Sequence, residues 1–173
     1  DATIWYTLDG SAPVVGDSEV YAEPIDLTES TQLRAIARLN GEQTVSTAPS
    51  FLKVQSNLDG FTTNLPMVAL WSRTDAPEFK EETYTNFSLV AVEPGGGDVQ
   101  VPSHATTSVR AGLKVRGSSS AGYPKRPYRL ETWPADNDQQ VDEDISWLGM
   151  PEEADWVFLA PLRMIKFNSV LLV

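Results

Sequence analysis

Short runs of strand-forming residues, separated by turn signals at close spacing, are the feature that most constrains how this chain can fold. The segment Thr3–Leu8 is rich in β-branched and aromatic residues and runs into Asp9-Gly10, a strong turn signal. Asn40-Gly41 is a second such signal. Nothing in this region has the 3.6-residue period of an amphipathic helix. The spacing predicts a β-sandwich over residues 1–56, and because seven strands need a longer span, we expect that sandwich to be incomplete.

Residues 57–173 follow a different pattern, after a linker expected at 57–60. Between Ser108 and Arg116, apolar residues at odd positions alternate with Arg, Gly and Lys at even positions, which predicts a half-buried strand. The run from Ile165 to Val173 is where a helix could begin. Over the whole chain, the predicted strands are 3–8, 19–21, 24–28, 32–39, 45–54, 65–71, 83–93, 108–116, 127–133 and 156–160. The fold class is therefore mainly β.

Composition excludes several kinds of site. The 173 residues include no cysteine and one histidine, which excludes disulfides, thiolate nucleophiles and multi-histidine metal sites. The net charge of −11 argues against binding to nucleic acid or to an anionic membrane surface. No apolar run reaches the ~18 residues of a membrane-spanning helix, so we expect no membrane insertion. The chain begins at Asp1, and both ends are expected to be cut from something longer.

The charges of this acidic chain are segregated along the second half. Residues 131–155 contain nine acids and no base. Residues 110–129 contain six cations and no acid, namely Arg110, Lys114, Arg116, Lys125, Arg126 and Arg129.

A glycine- and serine-rich loop lies between these cations. Glycines let backbone N–H groups turn toward an anion, and serine hydroxyls add donors, so the segment has the parts of a phosphate cradle. Gly117 and Gly122 have P-loop spacing, but Tyr123 and Pro124 stand where that motif needs Lys and Ser or Thr. The alternative is a solvated hairpin whose cations pair with the acidic segment.

Three ordered segments within residues 61–160 resemble the CotH kinase family, atypical protein-kinase-like proteins first known from spore coats. Residues 116–131, RGSSSAGYPKRPYRLE, resemble its R-G-(N/S)-S-S-x-x-(F/Y)-P-K-(K/R)-x-Y-R-L signature. TNLPMV at 63–68 resembles its opening S/T-N-L-P-I-V strand, and LGMPEEADWV at 148–157 resembles its L-G-L/M-P…D-W-V segment. The resemblance implies that 57–173 is the β-rich N-terminal part of an α+β, protein-kinase-like domain.

The CotH resemblance also implies ATP- and Mg²⁺-dependent phosphorylation of Ser or Thr on a protein substrate. Lys125 matches the phosphate-binding lysine of the signature. The full set implied for cofactor binding is Arg116, Gly117, Ser118, Ser119, Ser120, Gly122, Lys125 and Arg126. The family's catalytic and metal-binding aspartates lie well beyond its D-W-V segment, so no catalytic or metal residue is assigned here. We expect this chain alone to hold no cofactor and to be inactive, as a truncated or degenerate kinase.

The first half resembles a second module. IWYTLDGSAP at 4–13, YAEPI at 21–25 and TQLRA at 31–35 are similar to the immunoglobulin-like domain found at the C-terminus of chitobiase and β-hexosaminidase. That module commonly precedes CotH domains in secreted bacterial proteins, so the pairing implies an extracellular or cell-surface location.

Other functions remain open at this stage. The chain could be a carbohydrate-binding or adhesive cell-surface protein without catalysis, with Trp5, Tyr6 and Trp71 stacking on sugars unless they are core residues. It could also be a structural coat component. Some acidic residues could ligate Ca²⁺, but EF-hand spacing fails and a solvated loop is favoured; they are Asp136, Asp138, Asp142, Glu143 and Asp144. His104 is expected at the surface.

Overall fold

The chain folds almost entirely into short β-strands. A computed structural model describes residues 1–44, 47–72, 83–118, 121, 126–135, 141–159 and 171–172. A 3₁₀ turn occupies Ser56–Leu58. The strands of these residues are β1 Thr3–Thr7, β2 Glu19–Val20, β3 Thr31–Gln32, β4 Arg34–Leu39, β5 Glu42–Gln43, β6 Ser50–Phe51, β7 Thr62–Thr63, β8 Met67–Trp71, β9 Thr85–Val92, β10 Val99–Gln100, β11 Thr107–Val115, β12 Tyr128–Trp133, β13 Asp155–Phe158 and β14 Leu171–Leu172. The mainly β fold class is confirmed.

The first part of the chain contains a four-stranded antiparallel sheet and a small two-stranded one. The larger sheet has the order β2-β1-β4-β5, and β3 pairs with β6 in the smaller. Trp5 lies opposite Ile36, whose side chain is buried. The hairpin from β4 to β5 turns at Asn40 and Gly41, which both have positive φ, as a two-residue primed turn requires. The Asn-Gly turn signal is therefore confirmed.

A six-stranded sheet of order β13-β12-β11-β9-β8-β14 forms most of the second part. Strand β11 is antiparallel to both of its neighbours, with Leu113 opposite Leu130 on β12 and Ala111 opposite Phe87 on β9. Each of these residues is buried on the same side of the sheet. The alternation from Ser108 to Arg116 therefore gives a strand with one apolar face, as expected.

The apolar face of this sheet is covered by the segment around Trp147, which lies between Asp144 and Glu152 in the sequence. Trp147 packs edge-on against Trp156, with ring centroids 5.5 Å apart, and tilted against Phe158 at 6.3 Å. A turn with positive φ at Leu148 and Gly149 folds this segment over the sheet. The buried core of the face is Leu70, Phe87, Leu89, Ala91, Ala111, Leu113, Leu130 and Trp147.

Three strand or helix expectations were wrong in whole or in part. Residues 24–28 are not a strand, because Pro24 has no N–H with which to extend the pairing of β2. The strand expected at 45–54 shrinks to β6, since Pro49 interrupts the ladder; residues 45 and 46 lie outside the described ranges. The helix expected from Ile165 also lies largely outside them, and Leu171–Leu172 pair with β8 as a parallel strand instead.

The linker expected at 57–60 is an ordered connection. The Gly60 N–H donates to the Val101 carbonyl at 2.9 Å, and the Val101 N–H donates to Phe61 at the same distance. Strand β7 then pairs with β10. Two further hydrogen bonds join the first part to the six-stranded sheet, from Gln32 Nε2 to Ser88 Oγ at 2.9 Å and from the Ser50 N–H to Ser108 Oγ at 3.0 Å. In the described ranges, no helix has the length and apolar character to cross a bilayer.

Gly112, at the middle of β11, allows two aromatic rings to pack directly on the strand. A Cβ built at this position would lie 2.7 Å from Tyr84 Cβ and closer still to the Trp133 ring. Trp133 is fully buried, and its ring meets Tyr84 edge-on with centroids 6.0 Å apart. An interior strand glycine commonly marks such a close approach.

We expect Gly112→Ala to lower the free energy of unfolding by about 1–3 kcal/mol, because its methyl group overpacks the two rings. Gly95→Ala is the matched control, since a Cβ there meets nothing within 4 Å. Urea unfolding followed by tryptophan fluorescence measures both. Equal stability of the two variants would contradict the packing described.

Candidate functional site

The face of the six-stranded sheet opposite the apolar face carries most of its charged side chains, and we call it the polar face. Paired residues in an antiparallel sheet point the same way, so the β11–β12 register places Lys114 beside Arg129 and Gly112 beside Glu131. Asp155 on β13 lies opposite Glu131. The polar face of β11, β12 and β13 consists of Ser108, Arg110, Gly112, Lys114, Arg129, Glu131, Trp133, Asp155 and Val157.

The glycine–serine loop leaves the end of this hairpin. The Arg116 N–H donates to the Pro127 carbonyl at 2.9 Å, which continues the β11–β12 ladder to the base of the loop. Arg116, Gly117 and Ser118 are exposed, and Gly117 has a φ of 93°, which a residue with a side chain rarely adopts. Arg126 is half-buried on the returning side. The other candidates, Ser119, Ser120, Gly122 and Lys125, lie outside the described residues.

One cation of the hairpin is neutralised by an acid of the following segment. Arg129 donates through Nη2 to both carboxylate oxygens of Asp155, at 2.8 Å each, and through Nε at 3.1 Å. Pairing between basic hairpin and acidic segment is thus confirmed for this arginine. The side chains are 43% and 45% exposed, so the pair contributes at most about 1 kcal/mol. The Asp155 carboxylate also offsets the positive charge of Arg129, which faces Lys114 across the β11–β12 pair.

Lys114 is held by an aromatic ring. Its Nζ lies 4.3 Å from the centroid of Tyr84, a cation–π contact. Tyr84 is in turn packed against Trp133, whose Nε1–H donates to Glu131 Oε1 at 2.8 Å. The lysine is thereby positioned by a connected set of side chains on the polar face.

Two groups near Glu131 have shifted titration. Burial, and next the neighbouring Glu131 carboxylate, raise the pKa of Tyr84 well above its ordinary value of 10.0. The negative charge of Glu131 also raises the pKa of the exposed Asp142 carboxyl. The Tyr84 hydroxyl is buried and makes no hydrogen bond within the described part of the chain. Glu131 therefore acts on both groups more strongly than Asp155 does.

Lys114, Arg116 and Arg126 differ from Arg129 in having no ion pair with a described carboxylate. Within the described ranges, no carboxylate lies within ion-pair distance of Lys114, Arg116 or Arg126. Lys114 lies near the end of β11 and Arg116 one residue beyond it, while Arg116 and Arg126 flank the base of the loop. Positive charge without a carboxylate partner is therefore concentrated at this end of the hairpin. Such an arrangement can bind an anion.

The remaining candidates are spread over the molecule. Trp5, Tyr6 and Trp71 are half-buried strand residues, and the Tyr6 hydroxyl donates to Glu19 Oε2 at 2.6 Å. His104 is exposed, as expected. Of the acidic candidates, Asp136 and Asp138 lie outside the described residues. Among the described residues, no three or more His, Asp or Glu side chains form a group that could hold a metal ion.

Sequence reasoning did not include Lys114 or Tyr84 in the candidate site. The alternation of β11 does place Lys114 on the same face as Arg116, and the interior Gly112 is a signal of close packing. Tyr84 could not be found in this way, because its contact with Lys114 depends on how the start of β9 aligns with β11.

The raised pKa of Tyr84 has a consequence at alkaline pH. The unfolded chain loses this proton near pH 10, whereas the folded chain retains it to higher pH. The stability that this pKa difference contributes to the folded state is therefore fully present below pH 10. It is lost as the pH rises toward the folded-state pKa of Tyr84. We expect wild-type stability to fall more steeply above pH 10 than that of Tyr84→Phe, measured by urea unfolding at a series of pH values. Parallel alkaline profiles would contradict this assignment.

Comparison with known proteins covers the first part of the chain. Residues 1–49 match the family model described as Fn3 associated. The match and the sheets built from β1–β6 are consistent with an immunoglobulin- or fibronectin-III-like β domain. No curated protein and no solved structure matches the chain.

Proposed function

We propose that the β11–β12 hairpin binds the phosphate groups of ATP, and that residues 57–173 are the nucleotide-facing N-terminal part of a CotH-type protein kinase domain. In this proposal the preceding β domain is an accessory module of a secreted or cell-surface bacterial protein. The substrate class, a Ser- or Thr-containing protein, comes from the family resemblance alone.

The observation that carries the proposal is the placement of Arg116 and Arg126. They stand on opposite sides of the base of the glycine–serine loop, held there by the Arg116 N–H to Pro127 carbonyl bond. No described carboxylate pairs with either, although Asp155 neutralises Arg129 in the same hairpin. A guanidinium forms strong, directional hydrogen bonds to phosphate oxygens, so two of them at one loop suit a phosphate group.

The loop residues would complete the anion site. The positive φ of Gly117 turns the backbone at the start of the loop, and the exposed hydroxyl of Ser118 is a donor beside it. Lys125 is assigned by the P-K-R match to the phosphate-binding lysine. Phosphoryl transfer also needs carboxylates for Mg²⁺ and for the attacking hydroxyl. The resemblance assigns those to positions well beyond the Asp155-Trp156-Val157 match.

A second candidate function, carbohydrate binding, is favoured by one face of the first sheet. Tyr6 and Glu19 lie opposite each other, and the Tyr21 N–H donates to the Ile4 carbonyl two residues along. The Tyr21 side chain is 46% exposed. Aromatic faces beside a carboxylate can stack on a sugar ring and accept hydrogen bonds from its hydroxyls.

The nucleotide proposal can be tested on this chain by NMR. Because residues 110–129 supply cations and no carboxylate for Mg²⁺, we expect weak contacts from the hairpin, seen when millimolar Mg-ATP shifts the backbone amides of 116–118, 126, 128 and 129. Arg116→Ala and Lys125→Ala should each reduce these shifts severalfold. Arg38→Ala, which removes an exposed arginine from β4, is the matched control.

Two results would oppose the proposal. The ATP-binding proposal would be contradicted if Mg-ATP caused no amide shifts in the hairpin. It would also be contradicted if the shifts were the same in Arg116→Ala and Lys125→Ala as in the wild type. Shifts at Tyr6 and Tyr21 on addition of chito-oligosaccharide, lost in Tyr21→Ala but not in Tyr128→Ala, would instead support the carbohydrate alternative.

A further inference from the structure

The position of Lys114 is not explained by the stability of the sheet alone. On the polar face it lies directly opposite Arg129, and like charges in facing positions of a sheet destabilise it. Asp155 relieves this repulsion by pairing with Arg129. Lys114 itself is left with the Tyr84 ring and, among the described residues, no carboxylate within ion-pair distance.

The two carboxylates nearest in register to Lys114 have other donors. Glu131, two residues along β12 from the Arg129 that faces Lys114, accepts the hydrogen bond from Trp133 Nε1. Asp155 accepts both hydrogen bonds from Arg129 Nη2. The ammonium group of Lys114 is therefore positioned by the cation–π contact without being neutralised, and it is half-buried rather than extended into solvent.

Lys114 also has a neighbour of the same sign. Arg116 is two residues along, one residue beyond the end of β11, and its N–H to Pro127 carbonyl bond continues the β11–β12 ladder to that position. The alternation of the ladder turns both side chains toward the same side of the hairpin. The Cα atoms of residues at this separation on a strand are about 7 Å apart. The linked phosphates of a diphosphate or triphosphate offer a separate anionic group to each of two such neighbouring cations.

We propose that Lys114 is a second phosphate-binding residue beside Arg116, and that the polar face of the hairpin receives a chain of two or more linked phosphates. This inference rests on the proposed phosphate site at the loop and extends it along β11. Tyr84 is the positioning residue, because its ring holds the ammonium group in place. Gly112 allows that ring to lie against the strand.

The test compares the binding of inorganic phosphate, pyrophosphate and tripolyphosphate to the 173-residue chain by isothermal titration calorimetry at fixed salt. We expect affinity to rise along this series for the wild type. Lys114→Met should weaken tripolyphosphate binding about tenfold, the effect of one charge-assisted hydrogen bond, while leaving orthophosphate binding at the loop unchanged. Lys114→Arg should remain close to the wild type. Lys53→Met removes the same charge from an exposed position and should have no effect.

Tyr84 variants test positioning separately from charge. Tyr84→Phe keeps the ring and should bind tripolyphosphate like the wild type, whereas Tyr84→Leu should bind it several times more weakly, with urea unfolding confirming that each variant is folded. Equal affinities of Lys114→Met and Lys53→Met would overturn this inference and leave the loop site in place. Failure of the wild type to bind any of the three anions would overturn both.

Discussion

Burial of one face of β11 is the constraint on which the rest of the structure depends. Ala111 and Leu113 are among the most buried side chains of the six-stranded sheet, and β11 pairs along its length with β9 and β12. Because side chains alternate, a shift of one residue in either pairing would bring Lys114 into the core and expose the apolar residues. Hydrophobic burial on one side therefore fixes which charged residues share the other side.

Within the polar face, local contacts decide which charges remain available. Arg129 is occupied by Asp155, and Glu131 accepts a hydrogen bond from Trp133. The buried indole can reach Glu131 only because Gly112 leaves room for its ring on the strand. The cations left without a described carboxylate are those nearest the glycine–serine loop. A charge count shows an excess of positive charge within residues 110–129, but the pairings determine which of these cations remain available.

Much of the fold follows from local sequence signals. The Asn40-Gly41 turn and the alternation in β11 are properties of adjacent residues, and each gives the expected structure. Pro24 and Pro49 explain where strand expectations were wrong, since a missing N–H outweighs the β-propensity of their apolar neighbours. The alignment of the strands is a long-range property, which is why the contact between Tyr84 and Lys114 could not be predicted.

For the candidate site, the sequence indicated which residues to consider but not which of their charges are paired. Arg116, Gly117, Ser118 and Arg126 were found from composition and from the CotH resemblance, and the structure describes their surroundings. That Arg129 is neutralised while Arg116 is not depends on the pairing of β12 with β13, which brings Asp155 to Arg129 across 26 residues of sequence. No pattern within the hairpin contains that information.

A crystal structure of the chain grown with Mg²⁺ and a non-hydrolysable ATP analogue would show directly where the phosphates bind. We expect the phosphate chain on the polar face of the β11–β12 hairpin, with oxygens within hydrogen-bond distance of Arg116 and Lys114. Phosphates bound elsewhere on the molecule, with no phosphate oxygen within hydrogen-bond distance of Arg116 or Lys114, would contradict this expectation.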